Sequence, residues 1–526
     1  MSREYDVVVI GSGHNALVAA AYLAVAGKRV LVLERNAYPG GGSATAELTE
    51  PGFHSERHGL MHVLILANPL ITRDELGLVS RYGLEYIDTD KPYAAIFDDG
   101  TCLTLYRDRA RSRESIARFS KADAEAYEEF ATVAGEIVEA AAASFFVPPP
   151  SVQDYFGREL ATPAGLRAYL TGSRSFSDVL DEWFEGDHLK IAITRLASEI
   201  VLTHPDDKST GFLPYAGVGF LERYGVALPR GGSGSLTNAL VRCILDHGGE
   251  LRTHCEATEV VHEQGRAVAV RTSGGELIGA RDAVLGSLHP HHLGRFVDGL
   301  DPELLRAARQ VQLSPFTGFA VHAALEEPIR YRVPGVDMSV LNTLTEPSLA
   351  AMYDAYDDLR RGRLPRLPLL CAGCTSVEDP SRAPAGKAVL HVFCQVPYRL
   401  ADGGPERWNE IKDAYADQVL ARLAEFTTNL SPSIIRSRHV VTPFDHETSS
   451  PSFAGGDILG AAMYGYQSGS LRPTPRLSDY RVPGVERLYL AGPFMHPGGG
   501  ITGGGRATAM TVFQDLALDP SVFGTS

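Results

Sequence analysis

Tyr5-Asp-Val-Val-Val-Ile-Gly-Ser-Gly-His-Asn-Ala16 decides the fold. Residues 5–10 are an apolar run of the length of a buried strand, and an Ala-rich amphipathic stretch from the glycines to about Ala26 reads as a helix. Val30 to Leu33 is a second buried strand, and Glu34 ends it. Strand, glycine turn, helix, strand and terminal acid form the βαβ pattern that binds a dinucleotide, with Ala16 in the third glycine position. Gly11 permits the tight turn. Gly13 has no Cβ, so a pyrophosphate can approach the backbone. The helix start at His14 and Asn15 turns unpaired N–H groups and a positive dipole end toward phosphates. Glu34, with Arg35 beside it, stands where an acid accepts hydrogen bonds from a ribose. That acid repels a 2′-phosphate and disfavours NADP.

Arg487-Leu-Tyr-Leu-Ala-Gly492 reads as another strand, followed by Pro497-Gly-Gly-Gly500, Gly503-Gly-Gly505 and a helical segment. The sequence therefore predicts an α/β fold whose Rossmann-like nucleotide domain is assembled from segments 1–75, 226–290 and 456–526. In the second of these, Gly231 to Ser235 precedes a helix at 236–247. Strands follow at 250–255 and 257–262. A hairpin at 267–272 and 277–280 turns through Gly274-Gly275, and a separate short strand covers 282–286. Segment 76–225 reads as a helical cap and the first part of the substrate domain, within a mostly helical stretch from Leu60 to Tyr224. Its amphipathic runs lie at 120–144, 164–171 and 187–202, and prolines 148–150 break it. Segment 291–455, with strands at 316–325 and 388–396 and helices at 302–311 and 409–428, suits a substrate domain with its own mixed sheet.

The 526 residues are 44% hydrophobic and 21% charged, which suits a multidomain globular protein. A formal charge of −15 with no concentrated basic cluster argues against nucleic acid as a partner. The arginines between Arg107 and Arg118 alternate with acids and read as a solvated face. No apolar run reaches transmembrane length. The first strand starts by residue 5, so no signal peptide is expected, and the expected location is the cytoplasm. Ala131 to Val147 reads either as a domain-packing helix or as a peripheral membrane contact. Cys371-Ala-Gly-Cys374 stands alone, with no helix expected after it, and reads as two reduced thiols.

Four stretches resemble the glutathione-reductase-type FAD fold of amine oxidases, and within it the phytoene dehydrogenase-like class that includes carotenoid ketolases. They are Val8 to Ala16, Pro39-Gly-Gly-Gly-Ser-Ala-Thr-Ala-Glu47 with Pro51-Gly-Phe53, Pro229-Arg-Gly-Gly-Ser-Gly-Ser-Leu236, and His496-Pro-Gly-Gly-Gly500. The resemblance implies FAD in an extended form. Gly11, Gly13, His14, Asn15, Ala16, Glu34 and Arg35 would hold its ADP half. Gly41, Gly42 and Ser43 would pass near the pyrophosphate or flavin. Gly492, Gly500, Ile501 and Thr502 would lie against the ring system. Two departures stand out: Gly42-Ser43 where many relatives carry a basic residue, and Gly492-Pro493 where many carry an acid.

Among reacting groups, His496 abuts the terminal glycines and His58 follows the first glycine loop, so both are candidates to face the flavin. His54, His58 and His62 recur every four residues, but without carboxylates they make a thin metal site, and none is expected. His291 and His292 read as solvated or structural. Tyr464 and Tyr466 read as pocket walls or packing. The implied reaction is C–C desaturation of a small, apolar or weakly polar substrate by hydride transfer to flavin N5. A single fingerprint points to oxygen or a quinone as electron acceptor. The alternatives are oxidation of an amine C–N bond and, on the same fold, a non-enzymic lipid-binding chaperone.

Overall fold

The computed structural model describes residues 4–337 and 340–524. Both ends of the chain meet in one seven-stranded sheet. Glu4–Ile10 runs parallel between Val30–Leu33 and Leu277–Gly286. Glu250–Arg252 adds to Val30–Leu33, and Leu488–Leu490 pairs with the last residues of Leu277–Gly286, both parallel. Ala257–Glu263 and Arg266–Thr272 continue the sheet as an antiparallel meander. Val7 to Ile10 and Val30–Leu33 are unbroken Val, Leu and Ile runs because both faces of the sheet are covered there.

On one face lie helices His14–Val25, Gly234–Asp246 and Gly505–Asp515. The first was expected to be amphipathic. Instead every residue from His14 to Ala24 is buried, because the helix is wedged between the sheet and its two neighbours. Gly505 makes this possible: a Cβ there would fall 1.8 Å from the Asn15 carbonyl oxygen. The expected hairpin strand and the separate strand at 282–286 are one continuous strand, Leu277–Gly286. Arg281 and Asp282 suggested a break, but Arg281 is exposed and Asp282 pairs with Lys28 at 2.9 Å.

The second sheet also has seven strands. Their order is Ile435–Val441, Thr317–Leu325, Ala388–Val396, Leu370–Cys374, Leu341–Thr345, Tyr93–Phe97 and Cys102–Leu105. The last two come from the stretch read as a helical cap, which is therefore not wholly helical. Tyr93–Phe97 is buried on both faces, and so short an apolar run carries no period that separates strand from helix. Helices Arg109–Ala117, Lys121–Phe145, Pro163–Ser173, Phe176–Trp183, Asp187–Val201 and Leu213–Tyr224 make up most of the rest of that region. Lys121–Phe145 ends before prolines 148–150, which cannot donate to a helix. It packs on Leu213–Tyr224 where Gly219 comes so close that a Cβ would lie 2.5 Å from the Ala134 oxygen. Arg107, Arg109, Arg111 and Arg113 all make ion pairs at or near the surface. Among the described residues no helix is long and apolar enough to cross a membrane.

Candidate functional site: a cavity between the two sheets

A cavity of about 290 Å³ lies between the sheets. One wall is the C-terminal edge of the parallel strands, through Gly11, Gly13, His14, Asn15, Ala16, Glu34 and Arg35. Ligands of open α/β sheets bind at this edge. Gly11 has φ +85°, a left-handed conformation that only glycine adopts freely. Gly13 has φ −58°, so its lack of a side chain is not a backbone requirement. A Cβ on Gly13 would meet no heavy atom within 4 Å, and the same holds at Gly500. Both bare backbones line the cavity, leaving room that a ligand would fill.

The chemistry of this wall fits a dinucleotide. Helix His14–Val25 starts with no side-chain cap and no acid in its first turn, so its N–H groups are free for phosphate oxygens. His14 Nε2 and Asn15 Oδ1 are buried without partners. Burial lowers the His14 pKa to about 4, so the ring is neutral. Glu34 Oε2 accepts from Ser12 N at 3.0 Å and Ser12 Oγ at 2.6 Å, and Oε1 accepts from Asn36 N at 2.8 Å. Those bonds fix the carboxylate and leave acceptor capacity on Oε1 for a ribose hydroxyl.

The first glycine loop folds onto this wall. Gly40 N donates to Ser12 O at 2.9 Å, and a Cβ on Gly41 would sit 3.1 Å from Gly13 Cα. Gly41 and Gly42 line the cavity, but Ser43 does not. Its hydroxyl donates to Ser233 O at 2.9 Å and its carbonyl accepts from Thr237 Oγ1 at 2.6 Å, so it anchors the loop to the Gly234–Asp246 helix. Behind the loop, Arg382 joins Glu56 (2.6 Å) and Asp379 (3.1 Å), all with side chains fully inaccessible.

At the other end of the chain, Gly492, Pro493, Gly500 and Ile501 line the cavity, whereas Thr502 and His496 do not. The Thr502 carbonyl accepts from Asn68 Nδ2 at 2.9 Å, and its hydroxyl accepts from Gly504 N at 3.2 Å. His496 was expected at the reactive edge. Instead its Nε2–H donates to Ser144 O at 3.0 Å, satisfying one of the carbonyls left open at the end of helix Lys121–Phe145. Arg472, fully buried, braces the turn beneath by donating to the oxygens of Met495, Pro493, Ala461 and Ala462. No motif marked Asn68 or Arg472 in the sequence.

His58 does line the cavity, with its ring 5.0 Å from that of His446 and 4.9 Å from that of Phe453. Burial, then the His446 charge, holds its pKa well below the ordinary value. His54, His58 and His62 do not share a helix: Ser55–Glu56 is a strand, and His62 Nδ1 lies 2.8 Å from the Tyr86 hydroxyl. His291 donates to Val311 O at 2.8 Å, while His292 adds to the cavity wall. Tyr464 donates to Asp207 at 2.7 Å and stacks on Tyr466, and neither lines the cavity.

The facing wall went unseen in the sequence. It comprises Glu199 and Ile200 from helix Asp187–Val201, and Leu341, Cys371, His391 and Phe393 from the second sheet. Alternation along Ala388–Val396 puts His391, Phe393 and Gln395 on one face, but strand period alone does not say which face meets a ligand. Cys371 and Cys374 lie three apart on one strand, hence on opposite faces, and both are free thiols. A one-turn helix, Thr375–Glu378, follows them where none was expected.

Comparison with known proteins agrees with this geometry. The profile of the flavin-containing amine oxidoreductases matches residues 17–510. The chain is 30% identical to the rat protein called pyridine nucleotide-disulfide oxidoreductase domain-containing protein 2, over 98% of this chain and 94% of that one. It is 29% identical to a chain of the limonene dehydrogenase of Castellaniella defragrans, over 98% and 96%. Among solved structures, cyclohexylamine oxidase of Brevibacterium oxydans shares the fold with a TM-score of 0.59 and 18% identity, over 98% and 100%. The chain belongs to the flavin-containing amine oxidoreductase family and is an oxidoreductase with FAD as its cofactor.

Proposed function

We propose that this protein desaturates a C–C bond of an apolar or weakly polar small molecule held between the two sheets. The observation that carries the reading is the lining beyond the glycine turns. Leu60, Met61, Val63, Leu64, Ile200, Leu341, Phe393 and Ile501 make an apolar chamber continuous with the dinucleotide wall. FAD, when bound, supplies the hydride acceptor. The chain's part is to keep water out and to hold one C–H bond in a fixed orientation. The proton released with the hydride has the neutral imidazoles of His58 and His391 on the wall as acceptors. A relative named for limonene dehydrogenation supports a hydrocarbon skeleton. Oxygen or a quinone as the electron acceptor is part of the same proposal and rests on the single fingerprint in the sequence.

The test is anaerobic bleaching of bound FAD by limonene, polyenes, cyclic ketones and alkyl amines. Bleaching by a terpene or polyene and not by amines supports desaturation. Bleaching by amines alone replaces it with C–N oxidation.

A further inference from the structure

Helix Asp187–Val201 carries Arg195 and Glu199 one turn apart on the face that meets the second sheet. Arg195 Nη2 lies 2.5 Å from Glu199 Oε1, and the side chains are 0% and 5% accessible. Gln395 Nε2 donates to the same Oε1 at 3.3 Å. No hydrogen bond from a described residue reaches Oε2, although Glu199 forms part of the cavity wall among Ile200, Leu341 and Phe393. Two neighbours share the deficit, since Arg195 Nε and Gln395 Oε1 are buried without partners. The Glu56 carboxylate provides an internal contrast. It is also paired with a buried arginine, and there Oε1 takes Arg382 and Ser233 N while Oε2 takes Thr45 and Ser233 N. The Glu56 pair away from the cavity is saturated; the Glu199 pair on the cavity wall is not.

We propose that Glu199 Oε2 is the acceptor for a neutral hydroxyl group on an otherwise apolar ligand. The inference rests on the reading of this cavity as the substrate site and narrows the substrate class from hydrocarbon or weakly polar molecule to alcohol. A hydrocarbon leaves the oxygen without a donor, and a site built around a hydrogen bond discriminates against the analogue that lacks it. An ammonium group would satisfy the oxygen but adds a third charge. Arg195 already neutralises Glu199, so the cluster would carry an uncompensated positive charge inside an apolar wall. A hydroxyl donates without that penalty.

The experiment is calorimetric titration of the FAD-loaded protein at pH 7 with three probes on one skeleton: limonene, perillyl alcohol and perillylamine. The alcohol is expected to bind at least about tenfold tighter than the other two. In the double variant Glu199→Leu with Arg195→Met, which removes both charges together, that preference is expected to fall to about twofold or less. Circular dichroism and FAD retention report its folding, and Glu199→Gln provides a second variant in which the preference is also reduced. Equal affinity for alcohol and hydrocarbon, tighter binding of the amine, a preference that survives loss of both side chains, or no binding of any probe overturns the assignment. The desaturase reading fails separately. Bleaching by limonene without an alcohol preference sinks the subsite alone, and an alcohol preference without bleaching by any terpene or polyene sinks the reaction alone.

Discussion

Replacing Arg382 with Met tests what holds the first glycine loop in place. The guanidinium is wholly buried and makes ion pairs to Glu56 at 2.6 Å and Asp379 at 3.1 Å, with a third bond to Pro229 O at 3.0 Å. Methionine fills much of the volume but leaves the buried Glu56 without its arginine and Asp379 with only Arg230, 4.0 Å away, a change that costs about 3–5 kcal/mol. Against a typical folding stability of about 5–15 kcal/mol, the loss is large. Its pH dependence has a definite sign. In the wild type, hydrogen bonds and the Arg382 charge outweigh burial and hold the Asp379 pKa below the usual carboxylate value, so its contribution is present at neutral pH and lost toward acid. Burial already raises the Glu56 pKa, against the pull of Arg382. Without the arginine nothing opposes the burial that raises the Glu56 pKa except its neutral hydrogen bonds, so the penalty grows as pH rises above the unfolded carboxylate range of about 4. Urea denaturation at pH 5 and pH 8 measures it. The expected result is the full loss at pH 8, a smaller loss at pH 5, and partial recovery when Glu56→Gln and Asp379→Asn are added. A loss under about 1 kcal/mol at pH 8, or one that grows toward acid, refutes the reasoning.

Gly13→Ala separates folding from cofactor binding. Its backbone is already in a conformation open to alanine, and the added methyl meets no protein atom. Apoprotein stability is expected to change by about 0.5 kcal/mol or less, while FAD affinity falls by about tenfold or more; unchanged affinity by fluorescence titration removes the close approach at Gly13. His14, His391 and His446 are each held near a pKa of about 4 by burial, against an ordinary 6.5. Lowered histidine values mean that the unfolded chain binds more protons between pH 6.5 and 4, so stability is full above that window and falls within it. Each group contributes up to about 3 kcal/mol. A urea midpoint that stays constant from pH 7 to pH 5 contradicts this.

What the sequence determined by itself was local. Gly11, Gly13 and Glu34 sit within one βαβ unit, where backbone geometry and strand period settle positions from neighbours along the chain, and the structure places them on the cavity wall. The terminal strand also carried its own signal, and the sheet receives it at Val284 opposite Leu488. Other placements depend on distant partners. His496 was judged by its neighbours in sequence, yet its direction is set by an unpaired carbonyl at Ser144, 352 residues away. Ser43 and Thr502 were judged by the loops they belong to, whereas Ser233 and Asn68 decide where their polar atoms go. Glu199 and Gln395 lie 196 residues apart, one on a helix and one on a strand, and the Gln395 amide donates to the Glu199 carboxylate. A turn is specified by the φ and ψ of a few successive residues; a pocket wall is specified by which distant strands pair and which face they present. Tertiary packing alone brought Glu199, Leu341 and Phe393 to one cavity wall, because strand registry and burial fix those positions and no local period encodes them.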